Sequence, residues 1–236
     1  VSTTQEDRDA EARRTPRPPR RRRSRVSLVV GTLLLALGVG VLGWAGWQYW
    51  GTSWVSHRTQ QQVTAQVERS WDRGSDTVRT EHGLAGAVIR IPRFGRGYAV
   101  PVLEGVSDDV LASGYGHFEG SADPGQVGNF ALAAHRITHG EPLRDMPRLR
   151  VGDEVVVDTR TMRYTYALTT GGDDLTVPFT AGWVVDAAPV NPQSGGTTPA
   201  LEPGARLITL TTCSELFHTD DRLVAFGVLT SAVPRT

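Results

Sequence analysis

The sequence predicts a mainly β domain, closed or nearly closed into a barrel, behind one N-terminal membrane-spanning helix. Three observations lead there. From Gly83 onward, eight short runs rich in Val, Ile, Thr and Tyr fill about 150 residues and are broken by Gly and Pro, the spacing of barrel strands. Residues 26–50 carry no charged side chain, and about 20 apolar residues suffice to cross a bilayer as a helix. The length of 236 residues leaves room for one domain with additions, not two large domains.

The elements follow in chain order. Residues 1–25 hold nine arginines and four acids, with Pro and Arg concentrated over 15–25 and no apolar periodicity; this composition predicts a disordered, cytoplasmic Arg-rich tail. The rest holds sixteen arginines and twenty-one acids, so the chain is formally neutral but split in charge. There is no lysine. Beside an apolar run, the basic tail is a topology signal more than a nucleic-acid footprint, and no nucleic-acid partner is expected. The run 26–50 is too long for a signal-peptide core, and no small-residue cleavage site follows it. Trp44, Trp47, Tyr49 and Trp50 gather at its end as an interfacial belt, and arginines 20–23 and 25 flank its start. The expectation is a single-pass anchor in membrane lipid, N-terminus cytoplasmic, bulk of the chain outside the cell membrane. A core helix is the alternative, and a charge-free 25-mer beside a polybasic tail argues against it.

Residues 51–82 are polar, with Val63, Val67 and Trp71 recurring every four positions; they read as an extracellular stalk, partly helical over 60–71. The domain proper is 83–236. Its strands are expected at 87–91, 99–103, 130–134, 154–158, 164–168, 182–186, 206–213 and 223–229. Ser107 and two following aspartates start a short helix over 107–112. Residues 171–174 form a turn, and 191–204, with three prolines and three glycines, form a long loop.

Cys213 is the only cysteine, so no intramolecular disulfide exists. It is either a small buried apolar residue or a reactive thiol. Strand alternation puts Cys213, Thr211 and Thr209 on one face and Leu210 and Ile208 on the other, so the thiol ends a strand on a hydroxyl-bearing face. Arg222 opens the next strand, and an antiparallel return would bring it beside Cys213. There a guanidinium would stabilise a thiolate or an oxyanion; otherwise it is a surface arginine near Asp220 or Asp221. His135 also ends an apolar strand and is the natural general acid–base type near neutral pH. Five further histidines (57, 82, 117, 139 and 218) weaken the case for it alone.

The combination is more specific. Thr209-Leu210-Thr211-Thr212-Cys213, Arg222 nine residues on, and His135-Arg136 about eighty residues upstream resemble the motifs of the sortase family. Gly114-Tyr115-Gly116-His117-Phe118 followed by Pro124-Gly125-Gln126-Val127-Gly128-Asn129 is similar to the stretch of class D and class E members, most of all class E, the actinobacterial housekeeping type. Ala134 stands where many members have glycine. The resemblance, over roughly 86–229, implies a closed eight-stranded sortase-type β-barrel and a Gram-positive cysteine transpeptidase. It implies cleavage of a C-terminal LAxTG- or LPxTG-type sorting signal between Thr and Gly, and transfer through a thioacyl-enzyme to a peptidoglycan-precursor amine. Its partners would be surface proteins bearing that signal. By the same resemblance Cys213 is the nucleophile, His135 the acid–base group and Arg222 the oxyanion and substrate holder. Thr212 and His117 would help bind substrate. No cofactor and no metal are expected.

Other readings fit less well. An L,D-transpeptidase would have Ser-His-Gly before its cysteine, and a papain-like protease places Cys before His. A zinc site using His135, His139 and Cys213 would need the two histidines on one helix face, whereas the segment reads as strand and loop. A membrane-tethered β-domain that binds wall proteins without catalysis remains the non-enzyme alternative.

Overall fold

The computed structural model describes residues 25–47, 52–137, 139–193, 195–199, 202–212 and 221–235. Two compact units emerge, Val1–Ala45 and Gly46–Thr236. In the first, helix α1 (Arg25–Gly46) runs through the apolar segment. Its part from Arg25 to Trp44 is long and apolar enough to cross a membrane, and none of it is buried.

In the second unit, helix α2 spans Thr52–Asp72. The strands are β1 (Val78–Thr80), β2 (Gly83–Arg90), β3 (Val100–Glu104), β4 (Tyr115–His117), β5 (Gly128–Ala134), β6 (Glu154–Asp158), β7 (Met162–Leu168), β8 (Thr176–Pro178), β9 (Arg206–Thr212) and β10 (Asp221–Pro234). Helix α3 (Asp108–Ser113) joins β3 to β4 with Ser107 at its N-cap position. The sheet runs β2-β3-β4-β5-β9-β10-β7-β6, and β6 pairs back onto β2. Eight strands therefore close into a barrel. β1 lies outside it on β2, and β8 outside it on β10.

Period-two alternation fills the barrel. Ile89, Val102, Phe130, Leu132, Val157, Tyr166, Ile208 and Leu210 point inward into one buried cluster. The segment expected as a stalk does not stand free of the domain. Val63, Val67 and Trp71, the four-residue row seen in the sequence, are buried against Ala85, Val88, Leu103 and Val110. A third cluster, with Leu175, Val177, Val184 and Phe226, covers part of the outside of the barrel.

One expected strand is corrected. Residues Gly182–Val185 form a 3-10 helix. Asn129 Nδ2 donates to the carbonyls of Val184 (3.2 Å) and Asp186 (3.0 Å), and only Val184 of that helix is buried. A short apolar run carries too little periodicity to tell these states apart. The eighth barrel strand is β4, where glycines argue against a strand by propensity. Here they allow close approach, since a Cβ on Gly114 or Gly116 would lie 2.4 Å from the carbonyl oxygen of Pro101 or Gly105.

The closing seam carries an ionic pin. Asp158, 2% exposed, accepts from Arg90 Nε of β2 at 3.0 Å and from Arg163 Nε and Nη2 of β7 at 2.6 and 2.9 Å. Burial alone would raise its carboxyl pKa, but the two guanidiniums together hold it below the usual value. Asp158→Ala is expected to cost about 2–3 kcal/mol, the low side of a broken buried pair because both arginines reach water. A denaturant midpoint measured beside the parent checks this.

Candidate active site

Strand order brings three chain segments to one end of the barrel. β5 and β9 run parallel, in register from Gly128↔Arg206 to Ala134↔Thr212. A buried bond from Thr209 Oγ1 to Asn129 Oδ1 (2.8 Å) fastens that pair. β10 returns antiparallel to β9, with Val224 opposite Thr211. The C-terminal ends of β5 and β9 and the N-terminal end of β10 therefore share one rim. His135 follows Ala134 there. Arg222 opens β10 and pairs with Val177 of β8. Cys213 lies outside the described residues; in sequence it follows Thr212, the last paired residue of β9.

Thr212 is buried. Its Oγ1 accepts from the Leu223 backbone N–H at 3.0 Å, so its hydroxyl ties the end of β9 to the start of β10. The Arg222 guanidinium stacks 3.5 Å above the ring of Phe179, which is 55% exposed. A cation held on an aromatic face keeps its plane.

His135 is half-buried. Burial first, and then the nearby His139, push its pKa down from 6.5 to about 4, against an opposing pull from Asp108. It therefore rests neutral at pH 7. Its carbonyl accepts from the Leu143 N–H at 3.0 Å, closing a tight loop. Tyr98 pins that loop, its hydroxyl donating to the Pro142 carbonyl at 2.9 Å and lying 2.7 Å from the Tyr115 hydroxyl. Because a carbonyl only accepts, the Tyr115 proton goes to Tyr98. Burial pushes both phenols up, so the pair stays protonated.

The structure does not bring His117 to this rim. It sits level with Leu132, three residues down β5 from His135. Its Nδ1 lies 2.9 Å from Glu104 Oε2, and its Nε2 lies 2.9 Å from Ser121 Oγ and 3.1 Å from the Ala122 carbonyl. Both of its nitrogens are engaged and its ring packs on Phe130. It lines a cleft of about 560 Å³ that opens at the other end of the barrel, beside Glu104, Asp123, Phe130 and Tyr164.

Two neighbours of the rim were missed from sequence. Phe179 sits in a stretch with no periodicity to mark it. His139 lies four residues beyond His135, a spacing that shares a face only on a helix; a loop brings the two rings to a centroid separation of 4.9 Å instead. Among the described residues no three His, Cys, Asp or Glu side chains gather as metal ligands would.

Comparison with known proteins fits this geometry. The sortase domain model matches residues 89–230. The chain belongs to the sortase family. It is 31% identical over 219 residues to sortase SrtE1 of Streptomyces coelicolor, covering 89% of this chain and 59% of that relative. Sortase E of Streptomyces avermitilis matches in structure with a TM-score of 0.56 and 39% identity, over 66% of this chain and 93% of that one. Sortase E1 of Streptomyces coelicolor, solved with a tripeptide in its active site, matches with a TM-score of 0.53 and 31% identity, over 67% and 94%. Among sortases, the likeness is to class E.

Proposed function

We propose that this sortase is a cysteine transpeptidase acting at the cell surface, with Cys213 as nucleophile, His135 as acid–base group and Arg222 as oxyanion holder. The observation that carries the reading is strand register. β5 and β9 stay paired through Ala134↔Thr212, and Thr212 holds the start of β10. The three residues that follow or border this junction are His135, Cys213 and Arg222.

The reaction balances with these groups. His135, neutral at rest, accepts the Cys213 proton as the sulfur attacks the threonine carbonyl carbon of a sorting signal. The oxyanion forms beside Arg222. The bond from Thr to Gly breaks, His135 gives its proton to the departing amine, and a thioester remains. An incoming amine of a cell-wall precursor attacks that thioester and loses its proton to His135; the carbon–sulfur bond breaks, His135 returns the proton to the departing Cys213 sulfur, and the product leaves with a new amide bond. Dividing one difficult acyl transfer into two steps is the benefit of the covalent route. In this proposal the signal is LAxTG- or LPxTG-type. The apolar helix anchors the enzyme in lipid, with the Arg-rich segment on the cytoplasmic side and the barrel outside.

The test uses the full chain in detergent micelles with quenched fluorescent LAxTG and LPxTG peptides and a glycine-based or diaminopimelate-like amine, with products read by mass spectrometry. Cleavage between Thr and Gly with joining of the amine is expected, and its loss in Cys213→Ala. A folded protein that forms no acyl-enzyme with either peptide would overturn the reading in favour of a non-catalytic binding domain.

A further inference from the structure

We propose that His139 is a positioning residue for His135, its ring stacked on the catalytic imidazole and held there by helix α2. This role rests on the reading of His135 as the acid–base group and extends it to a second histidine and to the helix that follows the membrane segment in sequence.

The first observation is the stack itself, with ring centroids 4.9 Å apart and planes inclined by 32°. Backbone conformation comes second. His139 has φ of +55°, Gly140 +76° and Glu141 +46°. Two non-glycine residues flanking a glycine in the left-handed region persist only where the surroundings determine them. Those surroundings are visible. Gln60 of α2 donates through Nε2 to the His139 carbonyl at 3.3 Å. Gly140 lies so close to α2 that a Cβ would stand 2.4 Å from Gln60 Nε2 and 3.1 Å from Ser56 Cβ. The Leu143 N–H and the Tyr98 hydroxyl fix the far side of the loop.

Third, His139 Nδ1 is buried with no hydrogen-bond partner. A purely space-filling role would suit an apolar ring, which leaves no nitrogen unpaired. An imidazole at this site instead acts on its neighbour. Two stacked rings resist carrying two positive charges, which favours the neutral form of His135. Among the described residues the charged groups that act on His135 are His139 on its own loop and Asp108 on α3, and burial together with His139 outweighs Asp108. The stack also fixes the plane of the ring, and with it the direction in which its nitrogens reach. Through Gln60, α2 is part of the site.

The experiment follows His135 directly. The full chain in detergent micelles, carrying carbon-13 at histidine Cε1, is titrated by NMR alongside His139→Asn and Gln60→Ala. Asparagine tolerates the left-handed backbone, so the first variant keeps the loop path. The His135 midpoint is expected to rise by roughly one pH unit in His139→Asn, and by less in Gln60→Ala. The acid limb of kcat/KM should move with it, and kcat at neutral pH should fall about 3- to 10-fold with KM held. A midpoint within about 0.2 units of the parent in folded His139→Asn overturns the proposal. Should that variant not fold, the unaltered protein decides. A single His135 step near the ordinary value of about 6.5 overturns the role, and a midpoint below about 5, with the His139 resonance perturbed over the same range, supports it. Failure of peptide turnover would sink the transpeptidase reading and leave the titration result standing. An unmoved His135 titration sinks the positioning role whatever the turnover.

Discussion

His135→Ala is expected to reduce kcat/KM for peptide transfer by about 10²- to 10⁴-fold, the range of a lost general acid–base group. In the proposed reaction both halves need it, since one expels an amine that must gain a proton and the other admits an amine that must lose one. The variant should still fold. Its interior neighbour Ala134 and the β5–β9 register do not depend on the ring. Stability should even shift in its favour at low pH. The folded parent holds His135 at about 4, below the ordinary value of about 6.5, so the unfolded chain binds the proton first as pH falls. The stability of the parent therefore declines from about pH 6.5 down to about pH 4 through this group, by about 2–3 kcal/mol, while above that window the group contributes no pH dependence. His135→Ala lacks this slope. Equal acid dependence of melting in parent and variant would show that His135 titrates normally, and full activity in the variant would remove it from the chemistry.

The parts legible in the sequence were those that rest on local pattern. Seven of the eight barrel strands announced themselves by alternating β-branched residues, and the α2 row of Val63, Val67 and Trp71 by its four-residue period. What that row packs on was not legible, because a period marks a buried face without naming its partner. β4 was missed because close backbone approach, a tertiary demand, selected Gly114 and Gly116 against strand propensity. His117 shows the converse. Its motif was visible, but its place down the strand and its saturation by Glu104, Ser121 and Ala122 depend on pairing with β5. At the rim, His135, Thr212 and Arg222 follow from strand ends, which sequence marks well. His139 and Phe179 reach the rim through loops, where side-chain direction is set by long-range contacts such as that between Gln60 and His139.

Gly125→Ala is expected to destabilise the protein by about 2–4 kcal/mol, from two separable sources. The first is conformational. Gly125 has φ of +77°, a region that costs an L-residue about 1–2 kcal/mol. The second is steric. A Cβ there would fall 2.1 Å from Cε1 and 2.5 Å from Cδ1 of Tyr164, so the ring must leave its place against the barrel core. The Gly125 N–H also donates to the buried Tyr166 hydroxyl at 2.7 Å, which leaves the backbone little room to yield. Denaturant midpoints for Gly125→Ala, Tyr164→Ala and the double variant separate the sources. If the ring is the main obstacle, the double variant recovers the steric share and the two substitutions couple by about 1–2 kcal/mol. Simple additivity would assign the whole cost to the backbone. In either case the damage lies at the start of β5, seven strand residues away from His135, so the folded fraction should turn over peptide at the parental kcat. A fall in kcat at full folding would mean that the position of β5 is transmitted along the strand to the rim that holds His135.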